Sequence, residues 1–130
     1  MPIRTPLISA VTALVGIFAA YFAGLWPILG GHPYWSQSAT YIGAGIGVVV
    51  FAALWFATIL PGWQVKYIAV TMLAVLVIAF VVSTLGKREF VGSYAENRLA
   101  GRIWYYGFIA FIAALLSSAA IGVQAVLGRR

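Results

Sequence analysis

Cysteine is absent from this chain of 130 residues, and histidine occurs once, at His32. The first absence excludes disulfides, thiolate metal sites and thiol redox chemistry. The second excludes a bis-histidine haem within one chain and leaves most metal sites short of ligands. Acid is almost absent too: Glu89 and Glu96 stand against 8 Lys and Arg. Only 8% of the residues are charged, whereas soluble domains carry about 25%. So few charges cannot cover a water-soluble globule, but they suffice where lipid is the solvent. The net charge of +6 does not point to nucleic acid. The basic residues flank apolar runs, where they meet lipid phosphates.

What is present is hydrophobic, 64% of the residues, and it is gathered into runs. The runs 67–85 and 103–127 hold no charge. The polar segment 86–102 between them holds both acids and four of the basic residues, Lys87, Arg88, Arg98 and Arg102. An apolar run of about 20 residues crosses a bilayer as a helix. A transmembrane barrel would instead alternate apolar and polar positions in segments of about ten residues. Two further runs precede these, 7–29 and 38–60. The expectation is an all-α polytopic membrane protein, a single domain with four transmembrane helices in an up-down-up-down bundle. The spans are expected at about 7–29, 38–60, 64–91 and 94–127. The run 7–29 reads as a span and not a cleaved signal, because it is too long and no small-x-small site follows a short core. A multi-pass protein of a bacterial inner membrane or its equivalent is expected.

The connections carry local signals. Pro27 kinks or ends the first span, with Trp26 at headgroup level. The uncharged, aromatic stretch 30–37 reads as an interfacial loop, with Tyr34 and Trp35 at the membrane boundary. Pro61-Gly62 makes a tight turn, so the second and third spans should form a hairpin, anchored by Trp63 and Lys66. Ser93-x-x-Glu96 has the form of a capping box, and Gly92 suits a left-handed helix end. The third helix should therefore run to about Val91 and the fourth should start near Tyr94, both protruding as a charged stub. Trp104, Tyr105 and Tyr106 mark the fourth span's interface. Arg4, Lys66, Arg129 and Arg130 lie on one side, Lys87, Arg88, Arg98 and Arg102 on the other. The positive-inside count is tied, and the uncharged 30–37 loop tilts the expectation toward termini inside.

Helices associate in lipid by close packing, which small residues permit. Four-residue spacing puts Thr12, Gly16, Ala20 and Gly24 on one face, Ala39, Gly43 and Gly47 on another, and Ala110, Ala114, Ser118 and Gly122 on a third. These are the expected packing faces, within one bundle or toward a partner. The third span lacks such a stripe and should show more of itself to lipid or a bulky partner.

No Asp, Glu, Lys, Arg or His lies within the apolar runs 7–29, 38–60, 67–85 and 103–127. Such residues mark proton relays and coupling sites, so proton-coupled transport and aspartyl-type intramembrane proteolysis lose support. Among the polar residues within the spans are Thr12, Tyr21, Thr58, Thr71, Ser83, Thr84, Ser117, Ser118 and Gln124. No base stands near any of the serines, so nucleophilic catalysis has no support. Gly43, Gly45 and Gly47 lie in an apolar helix, not in a phosphate loop. His32 reads as a loop residue, with surface ligation of a pigment or haem as the sharper alternative. Lys87, Arg88, Arg98 and Arg102 are the candidate lipid-headgroup or partner-docking residues. No catalytic residue, metal ligand or cofactor is identified. The leading expectation is a non-catalytic accessory or scaffold subunit of a larger integral membrane complex, respiratory or photosynthetic, contacting lipids and other membrane subunits but not nucleic acid. The alternative is a homo-oligomeric channel or small-solute transporter, with Thr12, Thr58, Ser117 and Ser118 along a common path.

Overall fold

In lipid a helix satisfies its own backbone N–H and C=O groups, and the long apolar runs take that solution. The computed structural model describes residues 4–32, 34–59, 62 and 64–127. Within them lie α1 (Arg4–Phe22), α2 (Leu25–Ile28), α3 (Ser36–Ile59), α4 (Val65–Gly92) and α5 (Arg98–Leu127). All but α2 are long and apolar enough to cross a membrane. The chain is an all-α bundle of four long apolar helices, as a multi-pass integral membrane protein requires. Pro61 and Trp63, assigned above to a turn and an anchor, lie outside the described residues, as do Arg129 and Arg130.

The bundle is built around α5. Half of its most apolar 18-residue window is buried, against 22% for each of the other three spans. α1, α3 and α4 each pack along α5; α1 and α3 also touch, while α4 packs extensively on α5 alone. The expected α3–α4 hairpin is therefore corrected. The two helices are consecutive, but both send their smallest residues to α5. Gly43 and Gly47 of α3 lie so close to it that a Cβ would stand 2.8 Å from Ile112 Cβ and 3.0 Å from Ala113 O, respectively. On α4 the buried residues Ala79, Ser83 and Gly86 form the seam. A Cβ on Gly86 would stand 2.6 Å from the Trp104 amide nitrogen. Opposite Ser83, a Cβ on Gly107 would stand 3.0 Å from Ser83 Cα. The third span thus does carry a small-residue face, spaced by four and three residues instead of four throughout.

The other stripes divide. Ala39 is buried with Gly43 and Gly47. Ala114 is buried in the α5 core, and Ser118 is half-buried with its Oγ unpartnered. Gly16, Gly24 and Gly122 meet open space, and Ala20 is half-buried. Within the chain α1 instead buries Pro6, Ser9, Ala13 and Ile17. This face includes a polar contact: the Ser9 hydroxyl, 2.9 Å from Thr5 O of its own helix, also lies 3.0 Å from Gln124 Oε1 of α5. Turned to lipid, Ser9 would keep Thr5 O, but Gln124 Oε1 would lose its partner.

Two connections also differ from expectation. The run 7–29 is not one helix. Gly24 has φ 77°, a left-handed conformation open to glycine, and the single turn α2 folds inward after it. Trp26 becomes almost fully buried, 1% exposed, instead of standing at the interface. Between α4 and α5, Ser93 is not the N-cap. Asn97 is, its Oδ1 accepting from the Ala100 N–H at 3.0 Å, and α5 starts at Arg98 instead of near Tyr94. Ser93 closes α4: the Tyr94 N–H donates to Val91 O and the Ala95 N–H to Phe90 O, each at 3.0 Å. That is a Schellman ending. The left-handed positions are Tyr94 (φ 54°) and Ala95 (φ 66°), not Gly92.

Candidate functional site

The segment 24–38, the end of α4 and the start of α5 meet at one end of the bundle, and most of the chain's polar aromatic groups gather there. Trp26 starts the arrangement. Its indole N–H donates to Thr40 Oγ1 at 2.8 Å, and its ring meets Phe108 edge-on at 5.9 Å. Gly31 is pressed between Trp26 and Phe108, where a Cβ would stand 3.0 Å from Trp26 Cβ and 3.1 Å from Phe108 Cζ. Trp104 provides the second tie, its indole N–H donating to Gly30 O at 2.7 Å. The loop is thereby fixed to α3 by one tryptophan and to α5 by the other.

Around these ties the rings stack. His32 lies flat on Trp35 at 4.9 Å and 14°, and Trp35 meets Trp104 and Tyr105 edge-on at 5.2 and 4.8 Å. Phe90 of α4 closes on Trp104 at 5.7 Å. The His32 Nδ1 accepts the Tyr34 N–H at 3.0 Å, so the neutral ring carries its proton on Nε2. A metal-ligating histidine usually donates its second ring N–H to an acceptor, and here that nitrogen accepts instead. Burial pushes the His32 pKa below its ordinary value, which holds the ring neutral. Among the described residues, no three His, Cys, Asp or Glu come together in a metal-binding group.

The four basic residues named as docking candidates separate. Lys87 reaches over the Trp104 ring, its Nζ 5.9 Å from the centroid. Arg88 is exposed. Arg98 and Arg102 line a recess of about 410 Å³ whose walls include Trp35, Phe90, Tyr105 and Tyr106. The Ser38 hydroxyl stands at its rim, 3.1 Å from the Tyr105 hydroxyl. Neither acid lines it; Glu89 belongs to a separate groove with Asn97, Leu85 and Ile103. The sequence pattern marks Trp35, Tyr105 and Tyr106 as interfacial aromatics. It does not mark them as walls of a hollow, and it does not mark Phe90 at all. The available signal was the pair Arg98 and Arg102, one helical turn apart beside three consecutive aromatics.

Set against known protein families, curated proteins and solved structures, the chain finds no match.

Proposed function

We propose that this protein is a non-catalytic accessory or scaffold subunit of a larger integral membrane complex. The observation that carries the reading is the use made of the buried hydroxyls. Ser83 donates to Trp104 O across the α4–α5 contact at 3.1 Å. Ser117 Oγ lies 2.8 Å from Ala113 O and 3.1 Å from Gly47 O across the α3–α5 contact. Ser9 bonds toward Gln124, and Thr40 accepts from Trp26. These groups hold helices together, and no Asp, Glu, Lys, Arg or His lies within the apolar runs 7–29, 38–60, 67–85 and 103–127 to give them chemistry. The surfaces left to act are outer ones: the glycine face of α1, the uncovered face of α4 and the aromatic end of the bundle. Surfaces of that kind bind.

The residues a channel would align do not meet within the chain. Thr12 is exposed on α1, Thr58 bonds to Trp55 O of its own helix, and Ser117 is sealed between α3 and α5. The test is native mass spectrometry after gentle extraction from the source membrane, a respiratory or photosynthetic bacterial inner membrane being the first to try. Unlike subunits at fixed ratio are expected. A homo-oligomer free of other proteins would contradict the reading.

A further inference from the structure

We infer that the aromatic and basic end of the bundle binds one anionic phospholipid, its phosphate on Arg98 and Arg102 and an acyl chain against α4 and α5. The site needs no partner protein and stands apart from the scaffold reading.

Charge and shape both select this occupant. Arg98 and Arg102 lie one turn apart on α5 and line the same recess of about 410 Å³. Paired guanidinium groups offer planar, bidentate donors suited to a phosphodiester. No carboxylate lines the recess to neutralise them. The other walls are rings, with the Ser38, Tyr105 and Tyr106 hydroxyls as the polar points. Such walls suit the ester region of a lipid better than a hydrated soluble polyanion.

The recess also has apolar neighbours. Arg102 and Tyr106 are shared with a second hollow of about 490 Å³, completed by Val82, Leu99, Ile103 and Gly107. Apart from the two shared residues its lining is apolar. A helix rises about 1.5 Å per residue, so the hollow descends roughly 8 Å below Arg102 along α5. Val82, Leu99 and Ile103 are shared in turn with a third hollow of about 290 Å³ against Leu85 and Ala100, which Glu89 and Asn97 also line. A charged chamber flanked by apolar grooves matches a headgroup with its chains attached. A free phosphate would occupy the upper chamber alone.

The test uses the full chain in detergent, delipidated and offered equal amounts of phosphatidylglycerol and phosphatidylcholine, with bound lipid counted by native mass spectrometry. One phosphatidylglycerol per chain is expected, retained at least tenfold over phosphatidylcholine. Arg98→Gln and Arg102→Gln should each reduce that preference, and the double variant should abolish it. Arg88→Gln removes the same charge outside the recess and should retain it. Millimolar glycerol 3-phosphate should not displace the lipid. Equal retention of the two lipids would overturn the assignment, as would an Arg88→Gln loss matching that of Arg102→Gln. Displacement by glycerol 3-phosphate would also overturn it, in favour of a soluble-anion site.

Discussion

Trp26 is placed by its one polar atom. A large ring could pack in many ways, but its N–H needs an acceptor, and Thr40 Oγ1 supplies it inside the bundle. Thr40→Val keeps the shape and leaves that donor unpaired. A loss of about 1–3 kcal/mol is expected, read as an earlier unfolding midpoint in an SDS titration. Tyr94 is the opposite case, a side chain placed at a cost. It is 92% exposed and sits at φ 54°, where a left-handed backbone costs a non-glycine residue about 1–2 kcal/mol. Tyr94→Gly should raise stability in the same titration, by less than that amount because glycine also loosens the unfolded chain. His32 gives a pH signature. Its pKa is lowered from 6.5 by burial, so below that value the unfolded chain binds the extra proton first. Stability should be level above about pH 6.5, fall as pH drops through the window beneath it, and level off again once the folded ring is protonated. Protonation also removes the acceptor that holds the Tyr34 N–H. A His32→Gln variant should lose the slope in thermal melts between pH 7.5 and 5.5.

At the scale of helices, contact distance decides what a small residue does. Gly86 faces backbone: a Cβ there would stand 2.6 Å from the Trp104 amide nitrogen, and backbone cannot step aside. Gly86→Ala should force α4 from α5 and cost about 1–3 kcal/mol. Gly16 meets nothing within 4 Å, so Gly16→Ala should leave stability level or slightly higher, alanine being the better helix former. Unfolding midpoints of the two variants side by side check the contrast. The four spans were legible in the sequence, because 18 or more apolar residues in lipid have little choice but a helix. Which faces meet was only partly legible. The α3 stripe of Ala39, Gly43 and Gly47 keeps strict four-residue spacing and packs on α5. The α4 seam of Ala79, Ser83 and Gly86 follows the mixed spacing of helices that cross at a shallow angle. On α1 the face of Pro6, Ser9, Ala13 and Ile17 meets the bundle, with Ser9 beside Gln124, and the glycine stripe faces away. Such a pairing joins residues 115 apart in sequence, and no local pattern announces it. The recess was hidden for the same reason: its walls come from α3, α4 and α5, and only the α5 portion is contiguous.

For the whole molecule, the organising fact is that α5 lies among three helices while α4 packs extensively on α5 and not on α3, the helix before it. Tight helix contacts then run through the last element of the chain. The fold would complete only when α5 joins the earlier spans. Both the recess and its apolar neighbours depend on this arrangement, since α4 and α5 form the groove together. Paired cysteines test it against a clean background, because the chain contains none of its own. The first pair is Phe80→Cys with Phe111→Cys, where the native rings meet at 5.4 Å between α4 and α5; the second is Ser38→Cys with Tyr105→Cys, where the native hydroxyls lie 3.1 Å apart between α3 and α5. The third is Val50→Cys with Ala74→Cys, at matching distances from the α3–α4 turn. In native membranes treated with a short bismaleimide, the first two should crosslink and the third should not. A crosslink in the third pair with none in the first two would place α4 on α3 and contradict the arrangement around α5.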